Sequence, residues 1–360
     1  MTDGLIANGL IDERQDHPGA PPTPEPEVPP GTGRRTRHRR ARAGSAGSLE
    51  ALLLTMAVLL VVPRLLPAGL LGAPWLQAWS AVFVAVCVQA LPFLLLGTVL
   101  SAAVAAFVPA GLLERALPAR PVLAVPIAGV AGVVLPGCEC ASVPVAGRLI
   151  ARGVAPAAAL AFLLSSPAIN PVVLTATAVA FPGRPEVVLA RFVASLVTAV
   201  VMGLLWARFG RPEWLRPRPW REPADGTGRW SVFRSSLEHD FLHAGGFLVI
   251  GATTAATLNA AVPQGALKEL AQIPGVSVLV LAVLAVLLAV CSEADAFVAS
   301  GLTAFPLVAR LAFMVVGPMV DAKLIALQAG TFGRSFAWRF SAATFVVAVL
   351  SAVLVGGWLL

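Results

Sequence analysis

The chain has 360 residues, of which 58% are hydrophobic and 12% charged, against about 25% charged in soluble domains. That excludes an ordinary soluble domain and indicates a polytopic membrane protein. The formal net charge of +7 does not call for a nucleic-acid partner, because the arginines gather in tails and loops, where they set membrane orientation.

Taken in chain order, residues 1–48 carry the Pro-rich stretch PPTPEPEVPP and the arginine run Arg34 to Arg42. This composition buries no core and is expected to form a disordered, uncleaved cytoplasmic tail. Apolar segments follow at 49–70, 79–108, 122–135, 154–181, 188–209, 241–262, 275–290, 303–330 and 337–360. A crossing helix needs about 20 apolar residues, so 122–135 and 275–290 are short. The stretch 210–240 reads as an Arg- and Pro-rich cytoplasmic linker between a first membrane part, 49–209, and a second, 241–360. The expected fold is an all-α polytopic membrane protein of two repeated halves, with Pro/Gly-broken or re-entrant helices and about seven to nine spans.

The repeat is read from matching residues. Leu160–Pro171 (LAFLLSSPAINP) corresponds to Leu311–Ala322 (LAFMVVGPMVDA) at an offset of 151, which pairs Pro167 with Pro318 and Asn170 with Asp321. The same offset takes Cys140 to Cys291. Arg191-Phe192 also resembles Arg339-Phe340. Interrupted hydrophobic segments in matching positions point to a secondary transporter whose site lies at the repeat interface. The arginine-rich tail and linker both belong in the cytoplasm, which requires an even number of crossings between them. Two arrangements satisfy this. In one, 122–150 forms a re-entrant hairpin and the halves are inverted; in the other, 49–70 is not a crossing and the halves are parallel. The hairpin is favoured because irregular backbone is tolerated where it lines a cavity.

Three constellations carry chemistry. The first is Pro136-Gly137-Cys138-Glu139-Cys140, closed by Pro144. Residues i and i+2 share a side in extended backbone and diverge on a helix, so the two thiols read as an unwound loop of soft ligands. The second is Cys291-Ser292-Glu293-Ala294-Asp295, with two carboxylates beside a thiol after an apolar run. The third is Ser165-Ser166-Pro167-Ala168-Ile169-Asn170-Pro171, with its repeat partner Gly317-Pro318-Met319-Val320-Asp321 and Lys323. The expected substrate-binding residues are Cys138, Glu139, Cys140, Cys291, Ser166 and Asn170, with Cys138, Cys140 and Cys291 as the soft metal ligands. Glu293, Asp295, Asp321 and Lys323 are the expected proton or charge relay. Pro136, Pro144, Pro167, Pro171 and Pro318 are the expected helix breaks. Asp321 and Lys323, two apart, do not face each other on a helix, so each needs another partner. His239 and His243, with Glu238 and Asp240, read as interfacial residues at a helix entrance. The fourth cysteine, Cys87, reads as a buried hydrophobe, and cysteines in apolar segments do not suit a disulfide framework.

GCECASVPVAGRLIARG, ALAFLLSSPAINPVV and CSEADAFVASGL together resemble the bacterial predicted-permease family that includes the organoarsenical efflux permease and its YraQ-like relatives. The resemblance covers residues 50–360. It implies a multi-pass permease of the bacterial cytoplasmic membrane, with Cys138, Cys140, Pro167, Asn170 and Pro171 in the family's positions and room for a small membrane partner subunit. Glu139 stands where that family usually has Ser, and Ala141 where it usually has Gly. A carboxylate between the thiols favours a cationic metal over a neutral organoarsenical.

The leading expectation is a secondary permease exporting a thiophilic metal, metalloid or related compound by proton exchange, with membrane lipid as its surroundings and no cofactor. No G-x-x-x-x-G-K-[ST] loop is present. The alternatives are a non-transporting membrane subunit or thiol-redox sensor, and an intramembrane enzyme. Against the last, the chain has no G-x-S-x-G and no H-E-x-x-H.

Overall fold

Among the described residues, proline opens five helices. It has no amide hydrogen to leave unsatisfied at a helix start, and its φ is already helical. The computed structural model describes residues 74–109, 118, 120–134, 139–211, 213–215, 228–261 and 276–360. The Pro-first helices are α1 (Pro74–Phe107), α2 (Pro121–Ala131), α4 (Pro156–Ile169), α5 (Pro171–Ala180) and α6 (Pro185–Phe209). Between them a 3-10 turn (Gly132–Val134) extends α2, and α3 spans Glu139–Ala151. The later helices are α7 (Arg229–Ala261), α8 (Val276–Leu288), α9 (Asp295–Gly301), α10 (Leu307–Val316), α11 (Ala322–Phe332) and α12 (Arg334–Leu359). No strand occurs among the described residues.

The expected tail 1–48 and segment 49–70, together with Pro136, Cys138 and much of the linker, lie outside the described residues. The linker boundary needs correction, since α7 begins at Arg229 and absorbs Glu238 and Asp240 into a helix interior. Apolarity alone missed this turn of helix because its charges divide between an exposed face, Arg234 and Glu238, and one buried group, Asp240.

Five helical segments are long and apolar enough to cross a membrane: Trp75–Phe107, Pro156–Ala180, Pro185–Phe209, Arg229–Leu258 and Arg334–Leu359. Their outer faces expose apolar side chains, among them Val88, Leu91 and Leu95 on α1 and Leu350 and Leu354 on α12, while Thr98, Ser101, Arg191, Ser195, Asp240 and Thr344 turn inward. That is the distribution a lipid surround requires.

The directions of the helices follow from their end contacts. Phe107, at the end of α1, lies 6.5 Å from Trp230 and 6.2 Å from Phe233, at the start of α7. At the other end Trp79 Nε1 donates to Thr257 Oγ1 at 3.0 Å. Trp206, late in α6, packs 5.3 Å from Phe336, early in α12. So α1 runs antiparallel to α7, and α6 antiparallel to α12. One end of the bundle, here the α6–α7 end, collects the ends of α1 and α6 and the starts of α7 and α12.

The short helices form hairpins between these walls. Val125 of α2 sits beside Gly203 and the first turn of α4, whereas Gly132 has come up against Ser165 and Ser166, deep in the bundle. A Cβ on Gly132 would stand 2.2 Å from Ser165 Oγ, so only glycine permits this approach. The chain returns along α3 to Arg152, whose guanidinium donates to the carbonyls of Ala105 and Val108 at the end of α1. Hence α2 and α3 go in and come back at the α6–α7 end, α2 lying on α4 and α6, and α3 on α1, α4 and α11. The pair α8 and α9 does the converse. Ala285 reaches Gly317 in the interior, and after α9 the chain starts α10 where Val308 and Leu311 meet Gly356, near the end of α12.

Single cysteines at Ser231 or Ser335 should therefore react with an impermeant thiol reagent from one side of the membrane, and cysteines at Arg184 or Thr303 from the other. Labelling of all four from one side would contradict the antiparallel arrangement.

Candidate functional site

The two long segments 154–181 and 303–330 are each broken once, and a polar side chain caps the helix that follows each break. Asn170 (φ −68°, ψ 158°) separates α4 from α5. Its Oδ1 accepts from Val173 N–H at 3.0 Å and its Nδ2 donates to Ser166 O at 3.0 Å. Asp321 (φ −143°, ψ 170°) precedes α11, and its Oδ1 accepts from Leu324 N–H at 2.6 Å. Pro171 contributes by supplying no amide, and Pro318 lies in the turns after α10. Pro167 and Pro144 do not break their helices; they sit inside α4 and α3. Each instead withholds an N–H from the carbonyl four residues earlier, which for Pro144 is that of Cys140.

The backbone at Cys140 corrects the expectation of an extended loop. Glu139 is the first residue of α3 and Cys140 the second. Cys140 is completely buried, and Cys138 lies outside the described residues. Before the second cysteine motif, Ala289 adopts φ +48°, a left-handed conformation that costs a non-glycine residue about 1–2 kcal/mol. It ends α8 and turns the chain into Cys291.

Three buried ion pairs join residues of the first part to residues of the second. Glu139 Oε1 accepts from Lys323 Nζ at 2.8 Å. Asp295 Oδ2 accepts from Arg191 at 2.7 Å, and the same guanidinium donates to Thr177 Oγ1 at 2.8 Å and Ser292 O at 3.2 Å. Asp240 Oδ2 accepts from Arg148 at 2.9 Å and from Ser101 Oγ at 2.8 Å. Asp321 Oδ2 lies 3.4 Å from Lys323 Nζ. The extended backbone of the cap lets these two side chains meet, although helical spacing would have separated them.

Lys323 is the meeting point of the sequence-derived residues. Its ammonium pairs with Glu139 Oε1 and lies beside Asp321 Oδ2. Glu139 therefore arrives with a counter-charge, and it alone adds no unmatched negative charge for a cationic metal. Glu293 and Asp295 diverge: the Cys291 thiol donates to Glu293 Oε2, while Asp295 turns to Arg191. Ser166 is buried beside the Asn170 break. Among the described residues, no three His, Cys, Asp or Glu side chains converge as a metal site. His243 Nε2 meets Gly330 O at 3.2 Å and stacks with His239 inside α7 rather than at its entrance.

Sequence reading passed over Arg191, Thr177, Arg148 and Asp240 as site residues. Arg191 entered only as a repeat marker matched to Arg339, yet Arg191 is fully buried while Arg339 is exposed over Trp214. A charge count along the apolar spans would have found it, because Arg191 sits two turns inside one. Lys323→Met should lower stability in detergent by about 3–5 kcal/mol, the cost of an unpaired buried charge. Glu139→Gln with Lys323→Met should recover the greater part, as read by thermal unfolding; equal loss in single and double variants would contradict the pairing.

Comparison with known proteins places this architecture. The chain is 33% identical over 284 residues to UPF0718 protein YcgR of Bacillus subtilis (strain 168), covering 77% of this chain and 97% of that protein. It is 28% identical over 284 residues to a protein of Streptococcus mutans serotype c (strain ATCC 700610 / UA159) named "Putative two-component membrane permease complex subunit", covering 77% of this chain and 94% of that one. No solved structure matches. The profile of the ArsP_1 predicted permeases matches residues 76–357, and the chain belongs to that family of membrane permeases.

Proposed function

We propose that the protein is a secondary permease that exports a thiophilic metal, metalloid or related compound through a passage between two inverted repeats. The observation that carries this reading is that Cys140 and Cys291, one from each part of the chain, stand in motifs whose carboxylates, Glu139 and Asp295, are held by buried cations of the other part. Both thiols are buried, and thiolates select soft partners.

Further support comes from the order of elements. The six helices α1–α6 and the six helices α7–α12 follow the same succession, and α1 and α6 run opposite to α7 and α12. Inverted repeats with broken helices are a recurring secondary-transporter plan, with the site at mid-depth. Buried polar atoms without a protein partner line this region: Ser166 Oγ, Glu139 Oε2, Asp295 Oδ1, Ser292 Oγ and Ser195 Oγ. Such atoms are rare in packed interiors, and they suit a passage that admits water or substrate. In this reading Cys138 joins Cys140 and Cys291 in holding the substrate, and Ser166 and Asn170 shape the passage. Glu293, Asp295 and Asp321 carry protons, and Lys323 balances charge. The N-terminus is cytoplasmic. The chain acts with a small membrane partner subunit, a reading supported by the name of the Streptococcus relative, which calls that protein a subunit of a permease complex, and it is a carrier rather than an enzyme.

The test is metal and metalloid tolerance of a deletion strain complemented with wild type or with Cys140→Ser. The variant should be expressed at the wild-type level and confer about tenfold or more less tolerance, the scale of one lost strong ligand contact. Undiminished tolerance would rule out the thiol site.

A further inference from the structure

The turn between α5 and α6 lies at the end of the bundle opposite the α6–α7 end, and its positive charge is unmatched. Arg184, in that turn, is exposed and makes no capping bond to α6. Arg310 stands in the first turn of α10, which starts at the same end, where Val308 meets Gly356 near the finish of α12. Its Nε donates to Phe305 O at 3.0 Å. Helix α10 packs on α6, and the like charge of Arg184 acts on Arg310. Neither arginine takes part in the ion pairs found among the described residues. Across 171–192 and 296–316 the other charged residues are Glu186 and the buried, paired Arg191. Glu186 lies in the first turn of α6, where the helix dipole favours a carboxylate.

Beside Arg184 an open groove of about 510 Å³ runs between α5 and α6. Leu174, Ala178 and Phe181 line one wall, and Val188, Leu189 and Phe192 line the other. Val179 is 69% exposed and Leu189 50%, so this face of the hairpin meets lipid.

We propose that the groove and the two arginines form a binding site for an anionic phospholipid of the leaflet at that end. The phosphate sits between Arg184 and Arg310, and an acyl chain lies along α5 and α6. The site goes beyond the permease reading and holds whatever the protein transports.

Three features carry it. First, the charge at the rim is of one sign. Two guanidiniums that repel each other are both relieved by one phosphate, whose oxygens accept from each. A zwitterionic headgroup brings its own cation and relieves them less. Second, the groove is apolar and its volume falls in the range of ligand sites, about 300–1,000 Å³. A free phosphate would use the arginines and leave the groove unfilled, whereas a phospholipid uses both. Third, Arg184 belongs to the first part of the chain and Arg310 to the second. None of the three ion pairs that join the parts includes a residue of this turn. One phosphate on both arginines supplies such a tie at this end.

The test uses full-length protein in bilayers, with a bimane fluorophore on Val179→Cys beside the groove. The signal of labelled protein without that substitution is subtracted. Quenching by phospholipids with brominated chains then reads which lipid occupies the groove. Brominated phosphatidylglycerol should associate about tenfold or more better than brominated phosphatidylcholine, the scale of two arginines near an anionic lipid. Arg184→Gln, which removes no bond of the fold, should lower this preference about fivefold, and Arg184→Gln with Arg310→Gln should abolish it. Ala178→Phe, which fills the groove and keeps both charges, should weaken quenching by both lipids. Glycerol phosphate, which has the charge and no chain, should not relieve the quenching. Equal association of the two lipids, a preference unchanged in the double variant, quenching unchanged by Ala178→Phe, or relief by glycerol phosphate each overturns the proposal.

Discussion

A charge buried in an apolar interior must meet its opposite, because desolvating an ion costs several kcal/mol that only a close partner returns. In this protein the partner lies in the other part of the chain in all three close ion pairs found among the described residues: Arg148 with Asp240, Arg191 with Asp295, and Lys323 with Glu139. Apolar packing between lipid-facing helices has little directional content, since lipid tails are as apolar as leucine. The ion pairs supply that direction. They fix which turn of α3 faces α7 and α11, and which turn of α9 faces α6.

The two parts are unlike in charge. Asn170 and Asp321 perform the same capping, but only Asp321 brings a charge, and Lys323 stands beside it where the first part has Val172. The first hairpin is also tied at its outer end, by Arg148 to Asp240 and by Arg152 to the carbonyls that finish α1. At the same offset the second hairpin has Ala299 and Thr303, which carry no such tie.

Much of the fold was legible because its determinants are local. Apolar runs located the helices, and Asn170-Pro171 and Pro318 with Asp321 located the interruptions of two spans, since capping and the missing proline amide act within a turn. Pro144 and Pro167 misled for a related reason: a proline near a helix end is absorbed when neighbouring helices support the turn. The ion pairs were not legible. Glu139 and Lys323 are 184 residues apart, and no local rule names a partner at that distance. Arg148, six residues short of the apolar segment 154–181, carried no local sign of a role, yet it is 6% exposed and serves the interior. For Lys323 the need for a distant partner was evident from its spacing to Asp321, but the identity of that partner had to come from the packing of α3 on α11.

Paired charges across the two parts hold these helices together. The most direct measurement is a double-mutant cycle on Arg191 and Asp295, with unfolding of Arg191→Met, Asp295→Asn and the double variant followed in detergent. The account predicts a coupling of about 2 kcal/mol or more, with the double variant more stable than the worse single, as expected for groups in direct buried contact. Additive losses, with coupling inside about 0.5 kcal/mol, would contradict it.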